Sequence, residues 1–253
     1  NAAKDLLKNP AATQKQVNDA LNTLNEKRKA LDKYKTDTTK LTASVEKHGK
    51  DAEGTNPAVE GTKDSDAYRN ASDPHFLNAD GKPDTDKNKK AAEAKKAYDK
   101  ALVEAHDLLK KADPENKTPL DAQPTQQQIN DALTKLDDAR TEIEKYTTDT
   151  TALNTEAEKS QADTEGASAT GKFEDSPEFK NATYKQGVKP DTDPDVKQAK
   201  SDLETYKKAL KNARELLAKK DSATLSDRPT QKQIDDALDA LKQAKQAITD
   251  GYK

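Results

Sequence analysis

Apolar residues recur every three or four positions along most of the chain, with charged and polar residues between them. Two long stretches show the pattern most clearly, and a shorter one opens the chain. Their apolar positions are Ile129, Ala132, Leu136, Ala139, Ile143 and Tyr146; Ile234, Ala237, Leu241, Ala244 and Ile248; and Val17, Ala20, Leu24, Leu31 and Tyr34. This spacing predicts amphipathic α-helices that pack along narrow seams.

Further helices are predicted before and after these stretches. One pair has seams at Ala94, Tyr98, Ala101, Leu102, Ala105, Leu108 and Leu109, and at Ala199, Leu203, Tyr206, Leu210, Ala213, Leu216 and Leu217. A shorter pair is marked by Leu41 with Val45 and by Leu153 with Ala157. Leu120 and Leu225 lie alone in matching polar loops, and we expect each to cover one end of a helical bundle.

A threonine followed three residues later by a glutamine opens each of the three main stretches. The pairs are Thr13 with Gln16, Thr125 with Gln128, and Thr230 with Gln233. This spacing is typical of the capping box, in which the two side chains satisfy amides that the first helical turn leaves unpaired. It predicts helix starts at all three positions.

The same strings return in the same order, which indicates internal repeats. TQKQVNDAL, TQQQINDAL and TQKQIDDAL begin at Thr13, Thr125 and Thr230, so the spacings are 112 and 105 residues. We therefore divide the chain into a leading fragment (1–35, the C-terminal part of a module), a first module (36–147) and a second module (148–253). The predicted fold class is all-α, with tandem three-helix bundles in an elongated rod.

The junctions between modules contain the motif TDTT, at 36–39 and 148–151. No glycine or proline falls between Thr13 and His48 or between Thr125 and Glu165. We therefore predict one helix of about 35–40 residues shared across each junction, about 55 Å long at ~1.5 Å per residue. The alternative is that TDTT caps a new helix.

Long polar insertions, about 50–86 and 164–193, carry most of the remaining aromatic residues: Tyr68, Phe76, Phe173, Phe179 and Tyr184. The recurrence of SDAYRNAS as SPEFKNAT predicts a short helical turn that packs its aromatic ring on the bundle. The alternative is that these rings contact a binding partner.

Composition excludes several classes of protein. Charged residues make up 36% of the chain and apolar residues 31%, the formal net charge is -3, and Cys, Met and Trp are absent. Without cysteine there is no disulfide framework and no thiol nucleophile. No apolar stretch approaches the ~20 residues that cross a bilayer, and no basic stripe favours nucleic acid.

Few residues offer chemistry. His48, His75 and His106 are scattered, and only His106 falls in a recurring string, whose second copy has no histidine. The acidic loops NADGKPDTD and KPDTDPD could bind Ca²⁺, but Asp84 or Asp86 and Asp193 equally suit helix N-capping. Asn70 and Asn181 begin N-x-S/T tripeptides, which we interpret as turn and capping residues. We therefore predict no catalytic residue, no metal site and no cofactor.

Two motifs resemble the FIVAR module ("found in various architectures"). One is the box TQ.Q(I/V).DAL at a helix start, and the other is the string YDKAL in the helix before it. The resemblance covers both modules and the leading fragment, apart from the insertions. It implies tandem three-helix bundles without catalytic activity, in secreted or wall-attached surface proteins of Gram-positive bacteria. Such proteins include giant staphylococcal matrix-binding proteins, and modules of this kind also accompany secreted glycosidases.

Taken with the repeats, the resemblance predicts a non-enzymatic stalk in a bacterial cell-surface adhesin, anchored to the cell wall through a part of the parent protein outside this chain. Neighbouring modules are its expected partners. One alternative is a module that binds a host matrix protein such as fibronectin. Another is an accessory module of a larger secreted enzyme that contacts wall or glycan.

Overall fold

A computed structural model describes residues 2–32, 34–49, 61–78, 81–161, 171–188, 190 and 192–253. The described part of the chain is α-helical, with short 3₁₀ turns and one isolated antiparallel bridge between Leu77 and Pro83. The helices are α1 (Ala2–Leu7), α2 (Gln14–Asp32), α3 (Thr39–Glu46), α4 (Asp66–Ser72), α5 (Thr85–Ala112), α6 (Gln126–Glu144), α7 (Thr151–Ser160), α8 (Pro177–Val188), α9 (Pro194–Ala218) and α10 (Gln231–Gly251). The predicted all-α fold class is confirmed.

The first module has a core formed by α3, α4, α5 and α6. Helices α3, α5 and α6 contact one another in pairs, and α4 packs on α5 and α6. The predicted seam positions lie in this core, including Ala94, Tyr98, Ala101, Leu102, Ala105, Ile129, Ala132, Leu136, Ile143 and Tyr146. Most of these residues are alanine, leucine or isoleucine, so the helices approach closely around a thin core.

The second module repeats the arrangement with α7, α8, α9 and α10. Helices α7, α9 and α10 contact one another in pairs, and α8 packs on α9 and α10. Its core includes Leu153, Ala157, Ala199, Leu203, Tyr206, Leu210, Ala213, Ile234, Ala237, Leu241, Ala244 and Ile248. The module boundaries at 35/36 and 147/148 stay a prediction.

The predicted helix starts are observed. Gln128 donates its amide to the Thr125 hydroxyl at 3.3 Å, and Thr125 donates its amide to the Gln128 side chain at 2.8 Å. The same reciprocal pair forms at Thr230 and at Thr13. Each box therefore satisfies two amides that the first turn leaves unpaired.

The predicted helix shared across each junction is wrong, and the alternative of a fresh helix at TDTT is correct. Helix α6 ends at Glu144 and α7 begins at Thr151. Asp149 accepts the amide of Thr151 at 2.9 Å, which starts the new helix. The sequence allows this break because threonine and aspartate side chains bond nearby backbone groups and favour caps and turns over helix interiors.

The first junction breaks in the same way. Helix α2 ends at Asp32 and α3 begins at Thr39. Asp37 accepts the amide of Thr39 at 2.9 Å, and this hydrogen bond lowers the pKa of the Asp37 carboxyl. The TDTT motif is therefore a helix start at both places.

The insertions contribute the short helices that their recurring strings predict. Helix α4 begins after Ser65, whose hydroxyl accepts the amide of Tyr68 at 3.1 Å, and in α8 the Ser176 hydroxyl accepts the amide of Phe179 at 3.2 Å. Both rings pack against their module's core. The parts of the insertions at 50–60, 79–80 and 162–170 and residues 189 and 191 lie outside the described residues.

The leading fragment carries its seam on an exposed face. Leu24 is 54% exposed, whereas Leu136 and Leu241, at the same repeat position, are 0% exposed. Helix α2 contacts α1, and Leu21 and Leu31 on its apolar side are exposed as well. This contrast gives a matched pair of positions for measuring what the module core contributes.

The expectation that Leu120 and Leu225 both cover a bundle end is wrong for Leu120, which is 85% exposed. Leu225 is half-buried. The two loops have matching sequences but different neighbours, because α4 of the first module lies against the loop that contains Leu225.

Candidate functional sites at the module junction and on the second module

The three histidines are not brought together. His48 lies at the end of α3, where its Nδ1 is 3.0 Å from the Tyr98 hydroxyl. His75 pairs with Asp73 in the insertion, and His106 is exposed on α5. Their separate surroundings provide no shared catalytic or metal-binding geometry.

The acidic loops serve as helix caps. Asp84 accepts the amide of Lys87 at 2.9 Å at the start of α5, and Asp193 accepts the amide of Asp195 at 2.8 Å at the start of α9. Among the residues that the structure describes, no cluster of three or more histidine or acidic side chains could hold a metal ion. The capping interpretation of these aspartates is confirmed.

Most of the loop aromatics pack inward. Phe76 is 3% exposed and lies 5.8 Å from the Tyr146 ring, centroid to centroid. Phe173 and Phe179 both pack on Tyr206, at 5.3 and 5.5 Å between ring centroids. Tyr184, by contrast, is 71% exposed. Of the rings in the insertions, Tyr184 is the one placed to contact a partner.

A groove of about 700 Å³ lies on the second module between α8 and α9. Phe179, Leu203 and Leu210 form its apolar wall, and its rim carries the charged side chains of Glu174, Lys207, Lys211, Arg214 and Glu215. Burial raises the pKa of Glu174, and the Arg214 guanidinium donates to the Gln161 side chain at 3.0 Å. The rim thus mixes both signs of charge.

The corresponding surface of the first module has different chemistry. Asp99 takes the place of Lys207, 108 residues earlier, and accepts the Tyr68 hydroxyl at 2.9 Å. The second module has Phe179 in place of Tyr68, so it has no hydroxyl for a carboxylate to bind. The charge at this position therefore depends on the packing within each module. The two modules have no common set of ligand-binding side chains there.

Tyr98 and Tyr206 occupy the same core position in the two modules, but their hydroxyl groups differ in hydrogen bonding. The Tyr98 hydroxyl pairs with His48. The Tyr206 hydroxyl is buried near the Glu174 carboxylate and Ser160 but makes no hydrogen bond of normal geometry among the described residues. Burial and the Glu174 charge raise its pKa.

This pair predicts opposite effects of the same substitution. Tyr98→Phe should lower the free energy of unfolding by about 1 kcal/mol, because it removes a hydrogen bond and leaves His48 without that partner. Tyr206→Phe should raise it by up to about 1 kcal/mol, because it removes an unpaired buried hydroxyl. Urea unfolding followed by circular dichroism measures both, and equal losses in the two variants would contradict the assignment.

The junction between the modules is held by α4, through Arg69. Its guanidinium donates from Nη1 to the carbonyls of Leu225 and Arg228 at 2.7 and 2.9 Å, and from Nη2 to the carbonyl of Pro229 at 2.9 Å. Nη2 also donates to Asp66 on the same helix at 2.9 Å. One side chain of the first module thus binds three backbone carbonyls in the loop before α10.

The next residue, Asn70, bonds both sides of the junction. Its Nδ2 donates to the carbonyl of Tyr146 and to the Thr148 hydroxyl, both at 3.0 Å. Its Oδ1 accepts the amide of Gln231 at 3.1 Å. Gln231 is the first residue of α10, so Asn70 satisfies an amide that the helix itself leaves unpaired. Asn70 is 3% exposed, which makes these bonds effectively water-excluded.

A second set of contacts recurs at both linkers. Asp149 donates its amide to the Gln231 side chain at 2.7 Å, and Asp37 donates its amide to the Gln126 side chain at the same distance. Thr148 donates to the carbonyl of Pro229, as Thr36 does to the carbonyl of Pro124. The proline and glutamine of each Pro-Thr-Gln turn therefore bind the linker that precedes their module.

The interpretation of Asn70 and Asn181 as turn residues or caps of their own segments is wrong, and Asn70 instead accepts the first amide of another helix, α10. Both lie inside helices, and the caps of α4 and α8 come from Ser65 and Ser176 instead. Asn181 donates to the carbonyl of Tyr252 at 3.0 Å, as Asn70 does to Tyr146. The recurrence of Asn-Ala at matching positions was the available sequence signal.

The fold and junction define an all-α repeat protein whose modules contact one another through backbone and side-chain hydrogen bonds. The family model described as FIVAR domain matches residues 1–32, 77–144 and 180–249, more than half of the chain. The chain therefore belongs to the FIVAR domain family. No curated protein and no solved structure matches it.

The family match leaves out α3, α7 and most of the two insertions. Arg69 and Asn70 lie in one of these unmatched segments, whereas the loop and helix start that they bind, at 225–231, lie within the match. FIVAR domains occur in cell-surface proteins. Within the described residues, we find no helix with the length and apolar character that crossing a bilayer requires.

Proposed function

We propose that this chain is a non-enzymatic repeat segment of an adhesin on the surface of a Gram-positive bacterium, where it acts as an extended spacer. In this proposal the parent protein is secreted and anchored to the cell wall through another part of its sequence. The modules are bundles joined end to end, and each one mainly contacts its neighbours, so the stability of the array is nearly additive along the chain.

The observation that carries the proposal is the hydrogen-bonded junction. A spacer needs adjacent modules to keep a fixed relative orientation, and a chain of glycine or serine between modules would not provide it. Here a two-turn helix of the first module places Arg69 and Asn70 on the loop and helix start of the second. Asn70 and Gln231 are both buried, at 3% and 7% exposure, so water does not compete for their bond.

The absence of shared chemistry between the modules supports a non-enzymatic role. A ligand site common to an array would need the same polar groups in each repeat. The groove rim instead has Lys207 where the first module has Asp99, and Arg214 where it has His106. These exchanges of charge favour a role for the modules as structural units.

Amide hydrogen exchange on the full chain tests the junction. The Gln231 amide should exchange roughly tenfold more slowly than the Gln126 amide, because Asn70 accepts the first and Gln126 is exposed. The two glutamines begin equivalent helices and differ in exposure, Gln231 being buried and Gln126 exposed.

The variant Asn70→Ala should bring the Gln231 amide to the rate of Gln126 while core amides of α10 stay protected. Asn181→Ala is the matched control, at the same repeat position but away from this junction, and should leave Gln231 unchanged. Equal exchange of Gln231 and Gln126 in the unmodified chain would refute a fixed junction.

A further inference from the structure

The C-terminal end of the second module carries residues equivalent to those that the first module contributes to the junction. Asn181 donates to the carbonyl of Tyr252 at 3.0 Å, the same distance that joins Asn70 to Tyr146. Tyr252 is 4% exposed and Tyr146 5%, so both tyrosines are almost fully buried. Lys180 takes the position of Arg69.

The two surfaces differ in what covers them. Asn70 is buried under the loop before α10, whereas Asn181 is exposed. Lys180 is 62% exposed at its side chain, where it pairs with Asp175 at 2.6 Å. The second module therefore presents a donor and an amide side chain at positions that the first module uses to hold its neighbour.

We propose that Lys180, Asn181 and the Tyr252 carbonyl form a docking surface for a second copy of this module, engaged through the loop and Pro-Thr-Gln turn before its last helix. The inference rests on the proposed function and names the partner of one end of the array. The surface is called the C-terminal docking surface below.

The chemistry of the partner follows from the junction already described. The docking loop offers the carbonyls equivalent to those of Leu225, Arg228 and Pro229, which accept hydrogen bonds from a cationic side chain. It also offers one unpaired helix-start amide, equivalent to that of Gln231, which Asn181 Oδ1 accepts as Asn70 does.

Lysine can replace arginine at this position. Its ammonium carries three donors, although it lacks the planar fork that lets Arg69 bind several carbonyls in fixed geometry. Lys180 must exchange its contact with Asp175, and an exposed ion pair of this kind contributes little to stability. We therefore expect Asn181 to supply most of the geometric specificity.

The loop before α6 is less covered than the loop before α10. Leu120 occupies the position of Leu225 and is 85% exposed, whereas Leu225 is half-buried. Gln126 is exposed where Gln231 is buried. The linker contacts of Asp37 and Thr36 are present in both cases, and the added cover of Leu225 and Gln231 includes Arg69 and Asn70 of α4.

A fusion protein tests the proposal. A second copy of residues 148–253 is joined directly after Lys253, so that Tyr252 and Lys253 stand where Tyr146 and Thr147 stand at the natural junction. Amide exchange is then measured at Gln231 in the natural position, at Gln231 in the appended copy and at Gln126.

The proposal predicts that the Gln231 amide of the appended copy exchanges roughly tenfold more slowly than Gln126. The variant Asn181→Ala should abolish this protection in the appended copy and leave the natural Gln231 protected, and Asn70→Ala should do the reverse. Protection of the Ala139 and Ile143 amides in the first module, and of the Ala244 and Ile248 amides in the second module and its copy, reports that each variant is folded.

The outcomes separate the two proposals. If the natural Gln231 is protected but its appended counterpart exchanges like Gln126, the C-terminal docking surface is refuted and the fixed natural junction stands. The docking surface is equally refuted if Asn181→Ala leaves the appended copy protected. If neither Gln231 is protected, the proposed function itself fails.

Discussion

Leu136→Ala is expected to lower the free energy of unfolding of the first module by about 2–5 kcal/mol. Leu136 is fully buried in the seam of α6, among alanines and branched side chains. A core this thin has few neighbouring atoms to fill the cavity, so the cost should lie toward the upper part of that range. Urea unfolding followed by circular dichroism measures the loss.

The chain contains its own control for this substitution. Leu24 lies at the same repeat position in α2 but is 54% exposed, so Leu24→Ala should change the free energy of unfolding by less than about 1 kcal/mol. A loss of similar size in both variants would show that the cost does not come from burial in the module core.

The second large effect is expected at Arg140, a buried cation on α6. Its Nη2 donates to the carbonyl of Ser44 at 2.6 Å and its Nε to the Thr62 hydroxyl at 3.1 Å, so it ties α3 and the insertion to α6. Arg140→Met keeps an apolar stem of similar length but leaves these acceptors unpaired. We expect a loss of about 3 kcal/mol in the free energy of unfolding.

Lys135→Met is the matched control, because Lys135 pairs with Glu104 on the surface between α6 and α5. Its side chain is 52% exposed, so the loss should stay below about 1 kcal/mol. Thermal unfolding compares the two variants. If Arg140→Met costs no more than Lys135→Met, the buried network is not a major source of stability.

The helix starts and seams could be predicted from the sequence because their causes are local. Thr125 and Gln128 are three residues apart, and Ile129 and Ala132 recur at the helical period on one face. Nothing distant is needed to satisfy those amides or to mark that face. The three capping boxes and the core positions of the two modules were accordingly predicted correctly, whereas Leu24, Leu31 and Tyr34 of the leading stretch are exposed.

The break at TDTT could not be predicted with the same certainty, because distant residues complete it. The carbonyl of Tyr146 accepts from Asn70, and the amide of Asp149 donates to the Gln231 side chain, 82 residues away. A continuous helix would have paired such groups internally. The sequence offered both a capping aspartate and an unbroken seam, and tertiary contacts decided between them.

The junction was missed for a related reason. Arg69 binds backbone carbonyls, and a carbonyl has no sequence signature. Asn70 was visible as a recurring Asn-Ala, yet its partners belong to another module. The different exposure of Leu120 and Leu225 was missed likewise, because the contact between Arg69 of α4 and Leu225 joins residues 156 positions apart.

Small-angle X-ray scattering of the full chain tests the central claim, that the modules are joined end to end with a fixed junction. A compact globule of 253 residues would have a radius of gyration of about 18 Å. We predict a clearly larger radius and a pair-distance distribution with a long tail. A radius near the globular value with a symmetric distribution would contradict the account.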